Sequence, residues 1–353
     1  MLSPESGHQP VRRFWLLLWA VALFLLMLPL MATLAERPIG AEVLHYFRAD
    51  MVERGRQFTR EVFLLGTLKA ILSLGSLLFL VFHPLGARLL GWLEARGGRH
   101  LFAQLGAVAV GIAVVTELVE LPLAYYLGHL HERAYGLSSA TGGDWLQSRM
   151  ISTGMNLFLL LGLWVPLYYL IRRAPRRWWL AAGLLQVAYT GLISFLYPVI
   201  IMPLFNKLVP APAKVTTRIE QLAERVGVKV DTVQVMKVSE KSSRLNAMVT
   251  GLGATKRVIL YDTLLNQLSP DEVDVVIVHE LSHAKHNDVV TGWLLSAGLT
   301  FGTLGAGAWL LRRSVGLEPL GLGSPHAARG FAVVILLLSL TDTITSPVQY
   351  WAS

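Results

Sequence analysis

Apolar side chains run along the chain in long blocks, broken by short polar stretches. Seven blocks, at residues 14–34, 62–82, 101–127, 156–171, 178–202, 289–311 and 331–351, are candidates to cross a membrane. A helical crossing needs about 20 residues. The fourth block is short, and Pro166 inside it predicts a kink. The first follows Arg12 and Arg13 in the manner of a signal peptide. Its apolar core is too long for one and no A-x-A site follows, so a retained anchor is expected.

Between the fifth and sixth blocks, residues 205–288, the pattern changes. In "APAKVTTRIEQLAERVGV" the residues Ile219, Leu222 and Val226 share one helical face. Pro212 suits a first helical turn and Gly227 a stop. "DTVQVMKVS", "RLNAMVT" and "KRVILYD" read as strands. The last two are joined by a hairpin through Gly251-Leu252-Gly253-Ala254-Thr255. "SPDE" then opens a helix over 269–287, with Ser269 and Glu272 as a capping box and Pro270 at the first position. The expected fold is an all-α multi-pass membrane protein with about seven transmembrane helices and an inserted small α+β unit. The expected division is 1–204, an amino-terminal bundle; 205–288, the α+β unit; and 289–353, two carboxy-terminal spans.

Composition agrees. The chain is 54% hydrophobic and 15% charged, with mean hydropathy +0.52, where a soluble domain carries about a quarter charged residues. It has no cysteine, which removes disulfides, thiolate zinc sites and cysteine nucleophiles. The net charge of +8 is accounted for by arginines flanking membrane spans. No basic face with readout residues is present, so nucleic acid is not an expected partner. Arginines at the amino terminus and in the even loops, densest at Arg172, Arg173, Arg176 and Arg177, would place the α+β unit on the outer side. Five arginines in the first loop weaken that count.

The stretch "VIVHELSHAKHND", Val276–Asp288, carries the candidate chemistry. On a helix, His279 and His283 stand one turn apart on one face and can direct ring nitrogens at one ion. Zinc takes imidazole at about 2.0–2.1 Å, which this spacing fits without distortion. Glu280 lies about 100° round the helix from His279 and can reach a zinc-held water without being a ligand. Zinc lowers the pKa of that water and polarises a carbonyl, and a carboxylate can take the proton. This is the zincin arrangement, with one Zn2+ per chain. The alternative is a polar helix face at a membrane boundary. A catalytic zinc needs a third protein ligand. His286 lies too far along the axis from His279, Asp288 stands on a poor face, and Val289 excludes a third histidine six residues on. Within the spans, Glu117 and Glu120 share a face and Asp342 sits in the seventh. Acids at such depth usually face an interior or cavity; a position near the interface is the alternative for the pair.

The sequence resembles the zinc-dependent CAAX prenyl endopeptidases with seven spans around an intramembrane chamber. The likeness rests on "PLFNK" (Pro203–Lys207), on "SEKSSRLNAMVTGLGATKRVILYDTLL" (Ser239–Leu265) and on the HExxH segment that follows. "LPLAYY" (Leu121–Tyr126), Glu132, Tyr135-Gly136-Leu137 and Trp145-Leu146 support it. The resemblance implies a membrane-embedded zinc metalloendopeptidase of the gluzincin-like type, acting on membrane-associated or prenylated, CAAX-type peptides. It implies zinc ligands His279 and His283, catalytic Glu280, and a substrate segment added as a strand beside Asn246, Ala247 and Met248. It also implies a cytoplasm-facing catalytic unit in contact with lipids. The paucity of lysine against arginine suggests a bacterial source, so a bacterial inner membrane is expected, with the endoplasmic reticulum membrane as the alternative. "SPVQYWAS" (Ser346–Ser353) resembles the start of the family's S-P-x-x-x-x-x-S-R-x-x-E-x-x-A-D helix. The glutamate ligand of that pattern would fall about four residues beyond Ser353, so the 353-residue chain is expected to be impaired. The rival expectation is a non-catalytic membrane carrier or binding protein that uses the cavity.

Overall fold

A computed structural model describes residues 40–174, 177–251 and 256–314, with isolated positions at 20, 24, 27, 335, 336 and 339. Two predicted spans (14–34 and 331–351), Asp342 and the hairpin turn 252–255 lie largely or wholly outside the described residues. Among the described residues five helices are long and apolar enough to cross a membrane: Ala49–Phe82, Leu101–Ala134, Gly142–Leu170, Trp178–Phe205 and Asp288–Ala306.

The chain divides into two compact units. One holds residues 1–128, 152–184 and 299–351; the other holds 129–151, 185–298 and 352–353. In the first unit, α1 (Ala49–Phe82), α2 (Pro84–Arg96) and α3 (Leu101–Tyr125) pack together. Leu77, Leu80, Leu90, Leu105 and Val108 are buried there. His83 turns the chain between α1 and α2, its Nδ1 accepting the Leu85 amide at 3.2 Å. Gly86 is required at that corner, since a Cβ would lie 2.3 Å from the Phe79 carbonyl oxygen. Lys69 on α1 pairs with Glu120 on α3 at 3.4 Å, with side chains 35% and 16% exposed. Pro122 lies near the end of α3, after which the helix passes through a π-turn, Tyr126–His131. The long α4 (Gly142–Arg173) and α5 (Trp178–Leu196) follow.

In the second unit, four strands pair in the order β1 (Leu208–Pro210), β2 (Thr232–Met236), β4 (Arg257–Tyr261), β3 (Ala247–Thr250). β1 is antiparallel to β2, β2 parallel to β4, and β3 antiparallel to β4. The inner strand β4 presents Val258, Ile259 and Leu260 at 0% exposure, so both its faces are covered. On one face α6 (Ala213–Val226) and α8 (Pro270–His286) supply Ile219, Ala223, Ile277 and Leu281 to a core shared with Val233, Leu260 and Ala247. On the other, Met202, Met236, Val238 and Ile259 cluster with Met248. Pro212 is the N-cap of α6, one place earlier than periodicity suggests, and Gly227 stops it at φ 81°. Arg218 of α6 forks onto Asp274 of α8 at 2.6 and 2.8 Å and reaches Asp271 at 2.8 Å.

The short α7 (Asp262–Gln267) joins β4 to α8. Its first residue, Asp262, is 4% exposed. It accepts the Val238 and Ser239 amides at 3.0 Å each and the Ser239 hydroxyl at 2.7 Å. Burial opposes its charge, but the Ser239 hydroxyl, the two amides and Lys237 outweigh it and hold the carboxyl below the usual aspartate range.

Candidate metal and peptide site

Helix α8 begins as its sequence requires. The Ser269 amide donates to Glu272 Oε2 at 2.8 Å and the Ser269 hydroxyl accepts the Glu272 amide at 3.4 Å, completing the capping box. Those bonds from Ser269 hold the Glu272 carboxyl below its ordinary range. The apolar positions Val273, Ile277 and Leu281 are buried against the sheet, and that anchoring sets the rotation of the helix.

The rotation brings His279 and His283 together. Their Nε2 atoms lie 3.2 Å apart, with rings 4.7 Å apart and nearly perpendicular. Two zinc–nitrogen bonds of about 2.05 Å drawn across that gap meet at about 100°, near the tetrahedral angle. The donor pair thus fits zinc. Glu280 follows on the next face, half-buried.

The helix ends at Asn287, whose φ of 55° is left-handed. Asparagine tolerates that region better than other side-chain-bearing residues. The turn starts α9 (Asp288–Ser314) in a new direction and carries Asp288 back onto His283. Asp288 Oδ2 lies 2.6 Å from His283 Nδ1. A carboxylate there accepts Nδ1–H, leaving Nε2 as the lone-pair donor toward the metal. Periodicity places Asp288 on a poor face because it continues one helix through Asn287. The left-handed residue changes that, and Asp288 holds the far ring nitrogen of His283. Among the described residues no group of three or more His, Asp or Glu could hold a metal, so His286 and Asp288 do not complete the set.

The Asn246–Thr250 segment lies next to this helix. β3 is the edge of the sheet, one residue shorter at its start than the predicted contact set, since Asn246 precedes it. Asn246 is exposed, and its carbonyl accepts the Tyr261 amide at 3.0 Å. Ala247 is buried in the core with Ile277 and Leu281, and Met248 turns to the opposite face. Lys256 Nζ donates to the Ala284 carbonyl at 2.9 Å, tying the hairpin to the last turn of the histidine helix. Glu117 and Glu120 are half-buried in the first unit, Glu120 in its pair with Lys69.

Both the membrane helices and the second half of the chain resemble known proteins. Residues 30–207 match the model for the CAAX prenyl protease N-terminal region, with five membrane helices. Residues 211–349 match peptidase family M48. The chain is 32% identical over 262 residues to an uncharacterized metalloprotease, YhfN, of Bacillus subtilis, covering 72% of this chain and 60% of that protein. It is 34% identical over 195 residues to a CAAX prenyl protease 1 homolog of Dictyostelium discoideum, covering 54% of this chain and 44% of the relative. For CAAX prenyl protease 1 of Saccharomyces cerevisiae the values are 33% over 198 residues, 54% and 42%. The chain thus spans 42–60% of the length of these three relatives. The crystal structure of S. mikatae Ste24p shares its fold at a TM-score of 0.77 and 23% identity, covering 94% of this chain and 82% of that one. The five long apolar helices make it an integral membrane protein, and the match across half its length shows that it belongs to the CAAX prenyl protease family of M48 peptidases.

Proposed function

We propose that the protein is a membrane-embedded zinc metalloendopeptidase that hydrolyses peptide bonds of membrane-associated or prenylated, CAAX-type peptides. The observation that carries this reading is the 3.2 Å separation of the His279 and His283 Nε2 atoms, with His283 held from behind by Asp288. In this reading 1–204 and 289–353 form seven spans, residues 205–288 are a zincin-like unit, and Glu117, Glu120 and Asp342 line the cavity. The membrane is a bacterial inner membrane with the unit facing the cytoplasm. The carrier reading is not favoured, because both matching family models describe peptidases.

Zinc, when bound, supplies Lewis acidity to the scissile carbonyl and acidifies a water. His279 and His283 would hold it through Nε2. Glu280 accepts the proton of the attacking water and delivers it to the leaving nitrogen as the C–N bond breaks. Asp288 keeps His283 in the Nδ1–H tautomer. The outer edge of β3, with Asn246, Ala247 and Met248, takes the substrate backbone as an added strand.

The test uses purified protein that includes the glutamate expected beyond Ser353, and a fluorogenic prenylated peptide. We expect zinc that is lost in His279→Ala and kept in Glu280→Gln, with cleavage lost in both. Zinc content no higher than that of His279→Ala, or cleavage surviving in Glu280→Gln, overturns the reading.

A further inference from the structure

The outer edge of β3 is free only over part of its length. Upstream of the strand the backbone alternates as an extended chain does. The carbonyl of Arg244 accepts the Thr263 hydroxyl at 2.6 Å and that of Asn246 accepts the Tyr261 amide, so both turn towards β4 and α7. The Ser243 amide and the Lys241 carbonyl turn the other way. The first donates to the Leu137 carbonyl at 3.2 Å and the second accepts the Ser139 amide at 3.2 Å, around an antiparallel bridge between Ser138 and Ser242. The odd-numbered positions 245, 247 and 249 continue on that same outward side. Residues 137–139 therefore stand on the line that an added strand would follow.

That segment is fastened. Ser243 Oγ donates to the Gly136 carbonyl at 2.7 Å, Ser242 Oγ to Leu137 at 3.2 Å, and Ser138 and Ser139 hydroxyls to Lys241 and Glu240 at 3.2 Å each. Arg244 pairs with Glu132 at 2.9 Å and Lys241 with Asp144 at 3.8 Å, one on either side. Single exposed pairs contribute little, but the hydrogen bonds are repeated and local. No strand lies beyond β3 among the described residues.

We propose that residues 136–140 are a register stop. They cap the outer edge of the β3 strand, so a bound peptide can pair only over positions 245–250, about 20 Å at 3.3 Å per residue. One end of the peptide then abuts Leu137, and the cut falls at a fixed distance from that end. This rests on the peptidase reading for the cut itself, but the pairing is measurable without cleavage.

The probes are synthetic peptides of one sequence, lengthened by one to four residues at either terminus, added to the full-length protein in micelles. Amide exchange at Ala247 and Val249 reports pairing, β4 amides report the fold, and mass spectrometry reports the cut position. Lengthening at one terminus should lower affinity about tenfold or more, while lengthening at the other is neutral. Removing all four hydroxyl ties, by alanine at Ser138, Ser139, Ser242 and Ser243, together with Arg244→Ala should abolish that asymmetry and spread the cut positions. The charge swap Glu132→Arg with Arg244→Glu should retain it better than Arg244→Glu alone. Protection and cleavage limited by length with no change in the variant lacking the four hydroxyls and Arg244 overturn the stop. So do cleavage without edge protection, and absence of protection altogether. Length-limited protection with no cleavage upholds the stop and counts against the peptidase reading alone.

Discussion

Replacing Asp288 by asparagine isolates what its carboxylate does for His283. The side chain keeps its size and can still accept Nδ1–H through its amide oxygen, but the charge is gone. The 2.6 Å contact is short, as charge-assisted bonds are. Removing such a partner of a metal-bound histidine typically weakens metal affinity 10–100-fold. The two side chains are 45% and 50% exposed, so water screens part of the interaction, and the lower end applies. We expect about tenfold weaker zinc binding, ~1.4 kcal/mol. The assay is competition against a chromophoric chelator at fixed neutral pH, with His283→Ala as the reference for loss of a ligand. Asp288→Asn within twofold of the parent would show that the contact does not orient the ring. A loss equal to that of His283→Ala would show that Asp288 is a ligand and that the assigned role is wrong.

Lys69→Ala leaves Glu120 without its partner among spanning helices and should destabilise the protein in micelles by about 1–3 kcal/mol. The double variant Lys69→Ala/Glu120→Ala should recover part of the loss; thermal unfolding that is no better in the double variant refutes the pairing. The lowered carboxyl of Asp262 gives stability that is complete above the unfolded aspartate value near pH 4 and is lost as pH falls through the lower folded value. Asp262→Asn should therefore cost about 1–3 kcal/mol at neutral pH and flatten the acid limb of a stability–pH profile, which an unchanged limb would contradict. Gly227→Ala places a side chain at φ 81° and should lower stability by about 1 kcal/mol, measured by denaturant unfolding; no change would show that the turn relaxes.

The site helix was legible because its signals are local. A capping box, a proline and three apolar positions fix its start and rotation, and the two histidines then have no choice of face. The second to sixth spans were legible for the same reason, although α4 begins at Gly142 rather than at 156. Its first turns carry Asp144, Gln147, Arg149 and other polar groups that an apolar window rejects. Strand β1, three residues ending in Pro210, has no periodicity to read and exists because β2 offers it a partner. The role of Asp288 depended on one backbone angle at Asn287, and residue type made that angle permissible without making it obligatory. The fastening of residues 136–140 runs mainly through backbone carbonyls and serine hydroxyls more than 100 positions apart in sequence, as in Ser243 to Gly136, and no sequence pattern announces it.

The single left-handed residue between α8 and α9 acts as a fulcrum. Helix α9 has 27 residues, a lever of about 40 Å at 1.5 Å per residue. Asp288 is the first residue beyond that pivot and lies 2.6 Å from His283 Nδ1. A turn of about 10° at Asn287 would shift a carboxylate about 5 Å away by about 0.9 Å. That is a third of the contact length, so the backbone angle held at one residue decides whether the imidazole keeps its partner.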